Sequence, residues 1–359
     1  MARLDSFLRL VVEQRASDLH FTAGSVPLIR HDGELVALPF RVLSEGEARK
    51  FLAEMLTPDQ KETLEREQEL DFLYSLRGVG RFRANIFVQN HGWGAAFRII
   101  PDRPPDLDDL NFPSSVRGLC SLQNGLVLIG GPTGSGKTTT LAAIVHEINK
   151  TSKKHIITIE DPIEFLHEPL QSAITQRQVG AHIESFAEAL RSALRESPDV
   201  LVVGEMRDAE TLSLAVQAAE TGVLVFGTLH TSSAAKTLSR ALDMAPEENR
   251  EQLRSSLSVL LKGVIAQHLL RRSSGEGRIA AVEVLLSNPA VAAMIRDNKV
   301  PQIDSYLHCI SVDSGMQGLE VCLSRQVRDG LVDLDEACRL SAAPEVLRKE
   351  AQSLLQEAN

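Results

Sequence analysis

The chain has 359 residues, 43% hydrophobic and 24% charged, with a formal net charge of −10 at pH 7. That length supports two or three domains with real cores, and the acidic balance argues against broad, non-specific nucleic-acid binding while leaving room for a local basic channel. No apolar run nears the ~18 residues of a membrane span, and Arg3, Asp5, Arg9 and Glu13 interrupt any signal-peptide pattern.

Leu8, Val11 and Val12 predict a short first helix, and Asp32-Gly33 between Leu28-Ile29 and Leu35-Val36 predicts a tight hairpin. Ser44 to Glu47 reads as a capping box ahead of Phe51, Leu52 and Met55, and Thr57-Pro58 opens another short helix. Leu70, Phe72, Tyr74 and Leu76 then alternate as in a half-buried strand, and Gly78-Val79-Gly80 turns the chain. Phe82, Ala84, Ile86 and Val88 alternate with Arg81, Arg83 and Asn85, and Ala95, Phe97 and Ile99 flank Arg98. Side chains alternate faces along a strand, so three arginines can gather on one face of a small sheet. Such a face is either a solvated charged surface or a set of guanidinium donors for a phosphate. Pro101, Pro104, Pro105 and Pro113, mixed with four aspartates, predict a stiff linker over 101–113 between a domain at 1–100 and the rest.

Leu126 to Ile129 is a short apolar run that predicts a buried strand, and Leu141, Ile144, Val145 and Ile148 recur at helical spacing. Between them Gly131-Pro132-Thr133-Gly134-Ser135-Gly136-Lys137-Thr138 fits the phosphate-binding loop G-x-x-x-x-G-K-[ST]. Glycines let the backbone wrap closely around phosphates, with successive N–H groups and a helix N-terminus facing the anion. Pro132, Thr133, Gly134, Ser135, Gly136, Lys137, Thr138 and Thr139 are therefore the expected nucleotide-binding residues. Lys137 would reach the β/γ-phosphates and the Thr138 hydroxyl would hold Mg²⁺.

His155 to Ile159 reads as a second buried strand that ends in Glu160-Asp161-Pro162-Ile163-Glu164. Open α/β sheets bind ligands beyond the carboxyl ends of their strands, so Glu164 is the candidate for polarising an attacking water, with Glu160 behind it. Phe186, Ala189, Leu190, Ala193 and Leu194 mark an amphipathic helix, and Leu201-Val202-Val203 a strand followed by Gly204-Glu205. An acid at such a strand end supports Mg²⁺ and its waters. Asp208 should cap the next helix and Gly222 end it. Val223 to Phe226 is a further strand, after which His230 sits beside Thr228 and Thr231, placed to sense a γ-phosphate. Leu253, Leu257, Leu260, Leu261, Val264 and Ile265 read as one long helical stripe. Beyond about residue 290, Asn288-Pro289, Met316 to Arg328 with Gly330 past its end, and Asp333 to Glu336 predict short helices; the tail after Pro344 is weakly patterned. Cys120, Cys309, Cys322 and Cys338 lie far apart with no C-x-x-C pair, which predicts reduced thiols in a cytoplasmic protein.

The unit between the loop strand and the Gly204-Glu205 strand suits RecA-like motor ATPases better than small metabolic kinases. Three stretches resemble the Asp box, atypical Walker B and His box of the secretion ATPase superfamily: Ile159 to Phe165, Val203 to Asp208 and Gly227 to Thr231. Arg15-Ala16-Ser17-Asp18-Leu19-His20 and Gly80 to Asn85 resemble the N-terminal domain of the same family. The resemblance is nearest to the PilT family of type IV pilus retraction ATPases, including the lack of a long N-terminal extension. It implies an α/β chain with a smaller α+β PAS-like domain ahead of a RecA-like P-loop NTPase domain at 114–290, and a C-terminal helical subdomain at 291–359. It further implies ATP between the two domains, Mg²⁺, a homohexamer and an inner-membrane pilus platform partner on the cytoplasmic face. By motif position it implies Glu164 as catalytic base, Glu205 as the Mg²⁺-supporting acid, His230 as a γ-phosphate contact, and Arg83 and Arg98 as phosphate contacts. One departure stands out: the family's retraction-linked Ala-Ile-Arg-Asn-Leu-Ile-Arg-Glu is matched by Ala290-Val291-Ala292-Ala293-Met294-Ile295-Arg296-Asp297. Hydrolysis should survive that change, while coupling to retraction is open. An auxiliary paralogue and a RecA-like nucleic-acid motor are the rival readings.

Overall fold

The computed structural model describes residues 3–14, 16–31, 34–101, 103–310 and 314–349. The turn expected at Asp32-Gly33, Arg15 of the N-terminal motif and the last ten residues of the tail lie outside the described residues. The chain divides into two compact units, Met1–Arg103 and Pro104–Asn359.

The first unit is one antiparallel sheet with helices over one face. Its strands are β1 (Asp18–Thr22), β2 (Leu28–His31), β3 (Glu34–Ala37), β4 (Glu69–Leu76), β5 (Gly80–Gln89) and β6 (Gly92–Ile100), in the spatial order β3-β2-β1-β6-β5-β4. The helices are α1 (Asp5–Glu13), α2 (Glu45–Ala53) and α3 (Pro58–Glu67). Capping boxes at Ser44/Glu47 and Thr57/Gln60 satisfy the first N–H groups of α2 and α3. Leu8 and Leu52 from the helices close over Phe21, Phe82 and Phe97 from the sheet, all fully buried. Val88 departs from the expected stripe and is 38% exposed. The β4 pairing stops opposite Phe87, so Val88 is flanked by β6 alone, where Trp93 is its partner.

The second unit opens with a 3-10 turn at Leu107–Leu110 and α4 (Ser114–Cys120), then alternates strands and helices. These are β7 (Gly125–Gly130), α5 (Lys137–Thr151), β8 (His155–Glu160), β9 (Ala173–Gln178), α6 (Phe186–Ala193), β10 (Val200–Val203), α7 (Ala209–Glu220) and β11 (Leu224–Leu229). After α8 (Ala234–Met244) and α9 (Glu247–Leu260) come the hairpin strands β12 (Leu261–Arg271) and β13 (Arg278–Leu286). After β13 come α10 (Pro289–Arg296), α11 (Gln302–Cys309), α12 (Leu319–Arg328) and α13 (Leu334–Leu340). The sheet order is β13-β12-β7-β11-β10-β8-β9, parallel except for β13.

Helices cover both faces of this sheet, which is why its inner strands read as unbroken apolar runs rather than alternating ones. On β7, Leu126 and Leu128 enter the core beneath α7, α8 and α9, whereas Val127 and Ile129 enter the opposite core with Ile144, Val145 and Ile148 of α5. Asp208 caps α7 by accepting the Thr211 N–H at 2.8 Å, and Gly222 leaves that helix at φ +99°. The helical stripe expected across Leu253 to Ile265 is cut in two. The helix α9 ends at Leu260, and Leu261, Val264 and Ile265 belong to β12. Gly263 and the β-branched Val264-Ile265 disfavour helix, and β7 offers a ladder that buries them from both sides.

The outer edge of β13 is closed by side chains. Gln317 exchanges both backbone hydrogen bonds with Val284 at 2.8 and 2.9 Å, and its amide donates to Val282 O at 2.9 Å. The Cys322 thiol accepts the Val282 N–H, and Gln326 donates to Ala280 O at 2.7 Å. Helix α10 lies against α9, with Val291 and Ile295 buried.

Phe226 is fully buried on β11. Phe226→Ala is expected to lower the stability of the second unit by about 3–5 kcal/mol. Val259→Ser, at a side chain 72% exposed, should stay within about 0.5 kcal/mol. Denaturant midpoints of the two variants check the contrast.

Candidate functional site

Four segments leave the carboxyl edge of the parallel sheet side by side. The loop 131–136 follows β7, His230 follows β11, Glu205 follows β10, and Glu164 follows β8. Gly134 and Gly136 take φ of +77° and +89°, a region that side-chain-bearing residues rarely enter. No side chain caps the N-terminus of α5, so its first turn presents N–H groups to whatever lies in the loop.

Lys137 is 8% exposed. Its ammonium donates to Gly131 O at 2.8 Å and Pro132 O at 3.0 Å, and lies 3.4 Å from His230 Nδ1. Burial draws its pKa down, opposed by the Glu205 carboxylate. His230 Nε2 lies 3.1 Å from Glu205 Oε1, within reach to donate to it, and Nδ1 lies 3.4 Å from the Thr133 hydroxyl. The Arg207 guanidinium donates to Glu205 Oε2 at 2.8 Å and comes within 3.9 Å of Asp161. That bond, then the charges of Arg207, His230 and Lys137, outweigh burial and hold the Glu205 carboxyl below its usual range. The structure thus joins Lys137, Thr133, Glu205 and His230 in one network and adds Arg207, which motif position alone had not marked.

Glu160 and Glu164 differ in kind. The Glu160 carboxylate accepts from the Thr158 hydroxyl at 2.6 Å, from the Gln176 amide at 3.1 Å and from the Glu164 N–H. Burial pushes its pKa up, and its lone pairs are already committed to the fold. Glu164 is half-buried, on a segment pinned by Gln178, which accepts the Ile163 N–H, and by Gln176, which accepts the His167 N–H and donates to Phe165 O.

Arg83 and Arg98 belong to the first unit, directly opposite one another on β5 and β6. Arg98 pairs with Asp18 at 2.8 Å and Arg83 approaches Asp71 at 3.8 Å. Burial works to raise Asp18, but the Ser17 hydroxyl and Arg98 outweigh it and keep it ionised at lower pH than usual. Arg81 reaches the Pro101 carbonyl at 3.4 Å.

Beside the loop is a cavity of about 220 Å³, lined in part by Leu110, Asn111, Thr139, Leu269, Arg272 and Ile279. It mixes apolar walls with polar ends, as a nucleoside requires. The sequence reading had missed it, because its walls come from the 3-10 turn, β12 and β13, far apart in sequence. The residues present fit a nucleotide: left-handed glycines, an uncapped helix start, a buried lysine and a Ser135 hydroxyl that is buried with no protein partner. For Mg²⁺ the chain offers the Thr138 hydroxyl and the Glu205 carboxylate, hard oxygen donors suited to that ion. Among the described residues no three His, Cys, Asp or Glu side chains converge on one point, so phosphate oxygens would have to complete the coordination.

Glu205 makes its contribution to stability above its unfolded-state pKa, and that contribution is lost as pH falls through its depressed folded-state value. Arg207→Ala removes the main cause of the depression. It should move the acidic limb of the kcat/KM profile to higher pH; an unmoved limb would dissociate Arg207 from the acid.

Comparison with known proteins places these features in a family. Residues 108–328 match the family model described as Type II/IV secretion system protein. The type IV pilus retraction ATPase PilT of Pseudomonas aeruginosa is 44% identical over 95% of this chain and 99% of its own. A twitching motility protein of Neisseria gonorrhoeae is 44% identical over 94% of this chain and 89% of its own. A crystal structure of the pilus retraction motor PilT with bound ADP superposes with a TM-score of 0.89 at 42% identity, covering 97% of this chain and 99% of that one. The chain therefore belongs to the type II/IV secretion system protein family, among its PilT-like ATPases.

Proposed function

We propose that the chain is a Mg²⁺-dependent ATPase motor that works as a homohexamer and turns hydrolysis into domain motion to retract a type IV pilus. It would act at the cytoplasmic face of the inner membrane, docked on a pilus platform protein. The observation that carries this reading is the Lys137–His230–Glu205 network at the mouth of the phosphate loop, in a chain similar over 95% of its length to a pilus retraction ATPase. Among the described residues no helix is long and apolar enough to cross a membrane, so attachment would run through partners.

In this reading the loop residues Pro132 to Thr139 bind the phosphates of ATP through backbone N–H groups. The cavity lined by Leu110, Asn111 and Leu269 takes the nucleoside. Lys137 exchanges loop carbonyls for phosphate oxygens. Thr138 and Glu205 would hold Mg²⁺, which would supply charge neutralisation to the nucleotide phosphates. Glu164 accepts a proton from the attacking water and orients it for in-line displacement, while Glu160 fixes the Glu164 backbone. His230 moves its Nε2–H from Glu205 toward the γ-phosphate, which makes it a reporter of hydrolysis. Arg83 and Arg98 would supply guanidinium charge in the transition state, at the cost of their pairing with Asp71 and Asp18.

A second reading is an auxiliary, non-retracting paralogue. It is favoured by Ala292 and Ala293, half-buried residues of α10 that replace the Arg and Asn of the retraction-linked motif.

Glu164→Gln and Lys137→Ala should remain folded and assembled, with Glu164→Gln lowering kcat by about a hundredfold or more. Steady-state ATP hydrolysis with oligomer mass in the same samples checks this, and full turnover in Glu164→Gln removes the base assignment. Complementation of a retraction-deficient strain separates the two readings. The wild-type chain should restore twitching; rescue only by Ala292→Arg/Ala293→Asn would favour the auxiliary paralogue.

A further inference from the structure

Gln267 lies on β12, one residue past Ala266, whose register partner is Gly130 at the end of β7. It is 2% exposed, in a strand whose neighbours Val264, Ile265 and Ala266 are all buried and apolar. A primary amide in such a place costs free energy unless both of its ends are paired. Both are: Nε2 donates to Ser135 O at 2.7 Å, and Oε1 accepts the Thr140 hydroxyl at 2.6 Å. The orientation is forced, because the Ser135 carbonyl can only accept. The hydroxyl of Thr140, itself fully buried, must then donate to the amide oxygen. One side chain therefore grips the phosphate loop at Ser135 and the first turn of α5 at Thr140. The residues between them include Gly136, Lys137 and Thr138.

The glycines of the loop fit the same contact. A Cβ on Gly136 would come 2.8 Å from Gln267 Nε2, and a Cβ on Gly131 would come 2.8 Å from Gln267 O and overlap the Ser135 hydroxyl. Gln267 also borders the cavity beside the loop. A leucine or methionine would fill the volume with no hydrogen-bond demand, so packing alone does not account for an amide here.

We propose that Gln267 is a positioning residue for nucleotide binding: its amide, clamped between Ser135 O and the Thr140 hydroxyl, holds the phosphate loop in its binding shape. This rests on the reading that the loop 131–138 holds the nucleotide phosphates. Gln267 touches no phosphate itself and acts through the carbonyl and hydroxyl it fixes.

The test compares Gln267→Met, Thr140→Val, their double variant and Lys137→Ala in the full chain. Fluorescent ADP is titrated into each, and thermal unfolding is recorded without nucleotide. Gln267→Met leaves the Thr140 hydroxyl and Ser135 carbonyl unpaired and should weaken ADP binding about tenfold. Thr140→Val should weaken it in the same direction by less. The double variant should fall short of the sum, because both changes break one clamp. A purely structural amide would lower the melting temperature of Gln267→Met and leave the dissociation constant at the wild-type value; that result overturns the proposal. If Gln267→Met does not fold, the folded Thr140→Val decides, and wild-type affinity there overturns it equally. Wild-type affinity in Lys137→Ala would instead remove the reading of the loop itself, whatever the Gln267 variants do.

Discussion

A parallel sheet delivers all its strand ends to one edge, and everything chemical in the second unit depends on that. The β7–β11–β10–β8 ladders set Gly130 beside Leu229, Gly227 beside Val203, and Val203 beside Ile159. Residues separated by tens of positions in sequence thus start their loops within a few strand spacings of each other. Met206 N–H donating to Thr228 O at 3.0 Å and Gly204 N–H donating to Ile159 O at 2.8 Å extend the pairing past the strand ends. Backbone hydrogen bonds therefore stitch the starts of these loops together. Short apolar strands can carry this load because helices seal both faces.

The charges at that edge balance by direct contact rather than through solvent. Lys137 is largely buried but has three acceptors within reach, and Glu205 is met by Arg207 and His230. A buried ammonium without such partners would neutralise or unfold its surroundings. Because the partners are loop carbonyls and an imidazole rather than a carboxylate, the lysine holds its charge in a form that phosphate oxygens can take over.

Much of this was legible in the sequence, for a physical reason: a phosphate loop, a strand-end acid and a strand-end histidine are local patterns, and fully buried strands are written as apolar runs. Lys137, Glu205 and His230 were found that way and meet in space, the capping box at Ser44 forms as its spacing requires, and a helix starts at Thr57-Pro58. What was illegible is non-local. The strand β12 hid because Leu261, Val264 and Ile265 also satisfy helical spacing, and only the β7 ladder decides between the two. Arg207 has no motif signal beyond its place two residues after Glu205, and Gln267 has none, since its partners Ser135 and Thr140 are 132 and 127 residues away. The cavity beside the loop is assembled from three such distant pieces. The arginine face is an intermediate case: alternation put Arg81 and Arg83 on one side of β5, while the register that sets Arg83 opposite Arg98 is visible only in the folded sheet.

The side chains along β13 have a consequence for assembly. An exposed strand edge is a template for another chain, and many complexes form by adding a strand to one. Here Gln317, Cys322 and Gln326 occupy the outward hydrogen-bonding groups of Ala280, Val282 and Val284. The catalytic sheet is therefore finished on that side within a single molecule. A partner that meets this unit at that edge must recognise it through side chains and helix surfaces instead of through a continuous sheet.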